Sequence, residues 1–171
     1  MRTRSAIGKE AFKGMPETTS TQDKLDSYRI RRVQPWHIEE ICKIEKASFS
    51  NPFSSDYLTE LSLLHPDTFL VAETNDLVLG YAVGEIRHSQ AHIISIAVRK
   101  GWRRRHVGPR LSESLVEIFR EGGAKEVILE VRGSNSVART MYERLGFKMA
   151  GKIDGYYEDG EEAIVYSLKL S

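Results

Sequence analysis

Cysteine is almost absent: Cys42 stands alone in 171 residues. One thiol cannot make an intramolecular disulfide, and such usage fits a reducing compartment. Long apolar runs are also missing. Nothing approaches the roughly 18 consecutive apolar residues of a membrane span. No apolar leader follows the first residues, so the expected location is the cytoplasm, with no membrane partner. An excess of one charge is missing too. Lys and Arg total 25 against 24 Asp and Glu, a net charge of +1, whereas a dedicated nucleic-acid binder usually carries a clear basic surplus. There is no Gly-Lys-Ser/Thr phosphate loop and no three-glycine dinucleotide fingerprint. His88 and His92 are four apart, a spacing that pairs metal ligands on a helix and not on a strand, and no third ligand is evident. No metal is expected. No Ser–His–Asp set suggests itself. Cys42 lies on the apolar stripe of a helix and reads as core, not as a nucleophile.

What is present is the mixture of an ordinary globular domain, 40% hydrophobic and 29% charged, long enough to bury a proper core. Residues 1–27 are polar without apolar period and read as a flexible tail; the domain is expected over 28–171. An alternating first strand covers 28–33. Pro35 opens a helix through Ile38, Ile41, Cys42 and Ile44, which ends before Asn51-Pro52. Ser54 or Ser55 caps a second helix through Tyr57, Leu58, Leu61 and Leu64, stopped by His65-Pro66. Strands at 68–74 and 77–87 flank Asn75-Asp76, a hairpin signal. A β-branched apolar strand runs to Val98, and residues 103–108 enter an amphipathic helix carrying Leu111, Leu115, Ile118 and Phe119. Gly122-Gly123 stops it. A strand at 126–132 follows, then a helix capped by Ser134 or Asn135 and ended by Gly146. Strands at 147–153 and 163–170 complete the order β-α-α-β-β-β-α-β-α-β-β. The expected fold is α/β, a mixed sheet with helices on both faces.

The junction of the apolar strand and its helix carries the chemistry. It aims unpaired N–H groups and the positive end of a helix dipole at one point, which Arg103, Arg104 and Arg105 surround. A phosphate-bearing guest is the sharp reading, and a solvated basic helix start the plain one. The segment Arg103-Arg104-Arg105-His106-Val107-Gly108 resembles the pyrophosphate loop of the GNAT superfamily of N-acetyltransferases, Gln/Arg-x-x-Gly-x-Gly/Ala. Arg103 takes the first position and Gly108 the last, while His106 replaces the first glycine. Downstream, Leu129-Glu130-Val131-Arg132-Gly133-Ser134-Asn135, Ala138 and Met141-Tyr142-Glu143-Arg144-Leu145-Gly146-Phe147 resemble the block shared by the RimI-type ribosomal-protein alanine acetyltransferases and the archaeal and eukaryotic N-terminal acetyltransferases. Residues 155–163, Gly-Tyr-Tyr-Glu-Asp-Gly-Glu-Glu-Ala, and 92–98, His-Ile-Ile-Ser-Ile-Ala-Val, resemble the same branch.

The resemblance implies the GNAT fold, a mostly antiparallel sheet of about seven strands, and acetyl-CoA as cosubstrate. It implies that the pantetheine arm pairs with the backbone of Ile96, Ala97 and Val98. The pyrophosphate is expected on the N–H groups of Arg104, Arg105, His106, Val107, Gly108 and Pro109, with Arg103 at the loop's start and Arg110 within reach of a phosphate. Asn135 and Tyr142 are expected at the thioester end. Phe49, Pro52 and Phe53 stand at the branch's substrate loop, and Tyr156 and Tyr157 along its peptide channel.

Transfer to an amine needs the amine neutral and a proton for the departing thiolate. An α-amine titrates near 8 and a lysine near 10.4, so a modest base suffices for a protein N-terminus. Glu130 fits a base acting through water, His92 is a second candidate, and the resemblance places Tyr142 as the acid. Each has a structural alternative: Glu130 paired with Arg132 or Arg144, His92 as a scaffold residue, Tyr142 as core, the tyrosines as packed loop. The expected activity is acetylation of protein N-terminal α-amines, with ribosomal proteins or the ribosome as partners and a monomer or weak homodimer as the assembly. Two rivals stay open: a lysine or small-molecule acetyltransferase on the same fold, and a CoA-binding module without turnover.

Overall fold

The computed structural model describes residues 27–75 and 77–171. Most of the expected tail, residues 1–26, and Asp76 of the hairpin signal lie outside them. Seven strands form one sheet: β1 (Arg29–Arg32), β2 (Phe69–Glu73), β3 (Val78–Arg87), β4 (Gln90–Val98), β5 (Glu126–Arg132), β6 (Lys148–Ile153) and β7 (Ala163–Lys169). Their order is β1-β2-β3-β4-β5-β7-β6. Only β4 and β5 run parallel. Among the described residues, four helices cover the sheet: α1 (Ile38–Ser48), entered through a 3-10 turn at Pro35–His37, α2 (Ser55–Leu64), α3 (Val107–Glu121) and α4 (Ser136–Arg144). None is long and apolar enough to cross a membrane.

The strand patterns explain the layering. All of β2 and the first seven residues of β3 are buried, because helices lie on both faces there. Ile41, Ile44, Leu58 and Leu61 of α1 and α2 pack with Phe69, Val71, Tyr81 and Val83 on one face. Leu111, Leu115, Phe119 and Tyr142 of α3 and α4 pack with Leu70, Ala82, Ile93 and Leu129 on the other. Each fully buried side chain of this size contributes about 1.5–3 kcal/mol. Beyond that shared core, β5 alternates regularly: Val127, Leu129 and Val131 point into the α3–α4 core. Ile128, Glu130 and Arg132 therefore share the other face.

Two local features open the sheet. Gly84 pairs with Ile93 while Val83 pairs with Ser95, so Ile94 is an extra residue in β4, and such a bulge bends its strand. A Cβ at Gly84 would stand 2.5 Å from Phe119 Cζ and 2.6 Å from the His92 carbonyl oxygen. Only glycine admits α3 this close to the bulge. The parallel ladder of β4 and β5 covers only Gln90–His92 against Glu126–Ile128. Beyond it β4 stays with β3 as far as Val98, and β5 stays with β7 as far as Arg132. The two strands part, and a V-shaped gap lies between them.

Candidate active site

One wall of the gap is the free edge of β4. The Arg99 N–H donates to the Leu79 carbonyl of β3 at 2.7 Å. Alternation then turns the backbone groups of Ala97 toward β3 and those of Ile96 and Val98 toward the gap. Ala97, expected to face the ligand with its neighbours, is thus committed to the ladder. Ile96 and Val98 supply the open edge on which an extended chain can pair. Arg103 closes its end: Nε donates to the Val98 carbonyl at 3.0 Å, and Nη2 to Ser48 Oγ of α1 at 3.3 Å.

The basic turn differs from its expected form. Within 103–108 the helix begins only at Val107. Arg104 (φ 63°) and His106 (φ 58°) are left-handed, a conformation no helix interior accepts. This accounts for glycine in the GNAT loop pattern where the chain has His106: the backbone there needs positive φ, and the histidine bears the strain. His106 caps α3, leaving the first N–H groups, Val107 and Gly108, without intrahelical partners. Pro109 has no N–H, so its expected role as a donor is withdrawn. Arg105 lies 5.0 Å over the Trp102 ring, and Arg110 lies 4.6 Å over the Tyr28 ring.

The expected acid sits between α3 and α4. Tyr142 is 6% exposed, its hydroxyl hydrogen-bonded to Ser112, and burial raises its pKa so that it holds its proton. Ser112 Oγ donates onward to the Gly108 carbonyl at 3.0 Å, which ties the tyrosine to the basic turn. Asn135 caps α4, its Oδ1 accepting the Ala138 N–H at 3.1 Å.

At the fork where β4 and β5 part, the two base candidates meet. His92 Nε2 lies 2.7 Å from Glu130 Oε2. That hydrogen bond raises the His92 pKa, against partial burial, with further help from the charges of Glu130 and Glu85 and opposition from Arg87. Glu130 therefore pairs with neither Arg132 nor Arg144. Arg132 instead holds the loop between β6 and β7. Its Nη1 reaches Asp159 at 2.8 Å and Glu161 at 2.9 Å, and its guanidinium stacks 3.9 Å from the Tyr157 ring. Hydrogen bonds from Ser134 and Arg132 hold the Glu161 carboxyl down at about 2. Tyr156 and Tyr157 stand edge to face at 5.1 Å. Burial, then the Glu130 charge, raises the Tyr156 pKa. Across the gap, the turn after α1 presents Phe49, 40% exposed. Its Phe53 ring is 4.8 Å from Tyr57. Asn51 Nδ2 donates to Glu158 Oε1 at 3.0 Å, joining this turn to the tyrosine loop.

The acetyltransferase (GNAT) family model matches residues 38–147. The chain belongs to this family. An N-alpha-acetyltransferase of Sulfurisphaera tokodaii is 31% identical over 160 residues, 86% of this chain and 96% of the relative. A putative ribosomal protein bS18-alanine N-acetyltransferase of Bacillus subtilis is 32% identical over 138 residues, 80% of this chain and 91% of the relative. Among solved structures, Ard1 from Thermoplasma volcanium superposes with a TM-score of 0.80 at 28% identity, covering 84% of this chain and 98% of that one. The GNAT acetyltransferase assignment and its RimI-like and archaeal branch stand on these matches.

In this GNAT chain the strand edge at Ile96 and the Val98 N–H, with the Val98 carbonyl taken by Arg103, lies beside the open N–H groups of Val107 and Gly108, an arrangement that suits an extended arm ending in phosphates. Sequence reasoning missed how Arg132, Asp159 and Glu161 brace the tyrosine loop, and the Asn51–Glu158 link. The acidic run at 158–162 was the available signal: so many carboxylates beside one arginine need a partner.

Proposed function

We propose that this GNAT enzyme transfers the acetyl group of acetyl-CoA directly to the α-amine of protein N-termini. The observation that carries the reading is the His92–Glu130 pair, 2.7 Å apart where β4 and β5 diverge, with the Tyr156–Tyr157 loop beside it. Bound acetyl-CoA supplies an activated thioester carbonyl. Ile96 and Val98 orient its arm, and Val107 and Gly108 take its phosphates with Arg104, Arg105 and Arg110 nearby. The His92–Glu130 pair takes the proton of the α-ammonium, the neutral amine then attacks the carbonyl, and the nitrogen's second proton is lost to solvent as the C–S bond breaks. An α-amine near pKa 8 hands over its proton about 3 kcal/mol more readily than a lysine near 10.4, and the raised His92 pKa narrows the remaining step. Tyr142 keeps its proton and gives it to the departing sulfur. Phe49, Pro52, Phe53, Tyr156 and Tyr157 enclose the first residues of the peptide. The ribosomal-protein substrate in the Bacillus relative's name makes a ribosomal-protein N-terminus the first substrate to try.

Peptides with a free N-terminus and an internal lysine, incubated with acetyl-CoA, should gain one acetyl group on the α-amine, read by fragment mass spectrometry. Blocking the N-terminus should abolish the product. Label on the lysine alone would sink the reading, and CoA binding without turnover of any amine would favour a non-enzymatic module.

A further inference from the structure

One buried carboxylate takes no part in the chemistry above. Glu45, in the last turn of α1, is 1% exposed. Burial raises its pKa, against hydrogen bonds from Tyr81 and Phe53. A charge in such a place must have its oxygens satisfied. Oε2 accepts the Phe53 backbone N–H at 2.7 Å, and Oε1 accepts the Tyr81 hydroxyl of β3. That hydroxyl also lies 2.8 Å from Ser95 Oγ of β4. An ionised carboxylate only accepts, so Tyr81 commits its proton to Glu45, and Ser95 donates to Tyr81. A continuous set of bonds thus runs from β4, three residues beyond His92, to the turn that carries Phe49, Pro52 and Phe53.

We infer that Glu45 is a positioning residue for the peptide, tethering the 49–53 turn to β3 and β4 and so fixing one wall of the channel relative to His92 and Glu130. The inference rests on the peptide reading of that turn. Its oxygens face a backbone amide and a tyrosine, not the proton-accepting pair, so geometry gives it a holding role. The turn is then pinned at two points, by Glu45 at its end, Phe53, and by Glu158 at its middle, Asn51. The outer tie is exposed and the inner one dry, and a hydrogen bond to a buried charge is the stronger kind.

Two substitutions separate holding from charge. In Glu45→Gln, the amide oxygen still accepts from Phe53 while the amide nitrogen donates to Tyr81, whose hydroxyl then donates to Ser95. The network closes with its donor sense reversed. Glu45→Met fills similar volume with no acceptor. The methionine variant should raise the KM for peptide about tenfold or more, with kcat and the KM for acetyl-CoA changed less than about twofold, and the glutamine variant should stay within about threefold of wild type. An unchanged peptide KM in Glu45→Met, a parallel rise of both KM values, or a loss in Glu45→Gln as deep as in Glu45→Met would overturn the inference. Should Glu45→Met fail to fold, Tyr81→Phe cuts the same tether on its β3 side. Its peptide KM should rise about threefold, and no rise would count against the tether. Amide hydrogen exchange at Phe53, measured without substrate, reads the tether directly: fast in Glu45→Met, slow in wild type and Glu45→Gln. Unchanged Phe53 exchange refutes the tether whatever the substrate, whereas intact protection in an enzyme that modifies no peptide N-terminus refutes the peptide reading alone.

Discussion

On the β4–α3 side of the gap, the groups proposed to meet the cosubstrate are mainly backbone: the edge of Ile96 and Val98 and the N–H groups of Val107 and Gly108, with arginines around them. At the fork and along β5 they are side chains: Glu130 of β5 against His92 of β4, and two tyrosines on a loop held by Arg132. A backbone site tolerates changes of residue that keep its φ and ψ, which is how His106 stands at a position where GNAT loops have glycine. A side-chain site tolerates few, since each atom that acts is one substitution from removal. The first wall suits an invariant cosubstrate and the second a variable peptide.

That contrast can be broken most forcefully at Glu130. Glu130→Gln keeps shape and removes the carboxylate half of the proton-accepting pair, so turnover on peptide should fall about 100-fold, with the KM for acetyl-CoA little changed. Unchanged turnover in steady-state assays would remove it from the chemistry. A middle-sized effect is expected at Arg132. Arg132→Met releases Asp159, Glu161 and the Tyr157 ring, and should raise the KM for peptide about tenfold while acetyl-CoA affinity, measured by calorimetry, holds. If both affinities fell together, the walls would not be separable. The smallest effect belongs to His106→Gly. It relieves a left-handed residue worth about 1–2 kcal/mol of strain, offset in part by glycine's flexibility when unfolded. Acetyl-CoA should bind as tightly or more tightly and melting should shift little, whereas a large loss of affinity would show that the imidazole itself holds the ligand.

The sequence was most legible where order is local. The strand at 126–132 has the expected ends, Asn135 and Ser54 are caps, and Gly146, with φ 89°, ends α4 as a glycine should. The pairing of His92 with Glu130 was beyond reach because it joins residues 38 apart, and its register depends on where β4 and β5 separate. The Ile94 bulge left no mark, since an extra isoleucine among β-branched neighbours looks like more strand. The left-handed Arg104 was equally silent, since arginine does not advertise positive φ, whereas His106 at a pattern glycine was a faint signal, histidine being enriched there. The family resemblance supplied the loop's purpose, and the structure supplied the reason for its glycine. Glu45 was hidden in a helix whose apolar stripe drew attention to Ile41 and Ile44 instead.

The central claim is that the His92–Glu130 pair takes the proton of an α-amine, and the pH profile of kcat/KM on a free-N-terminus peptide tests it most directly. The hydrogen bond that His92 donates to Glu130 raises the His92 pKa, and a base must be unprotonated to work. Activity should therefore fall on the acid side through a pKa above the ordinary histidine value near 6.5. In Glu130→Gln that limb should move down toward about 6.5, because the charge that held the proton is gone. An acid limb that stays in place in Glu130→Gln would contradict the account.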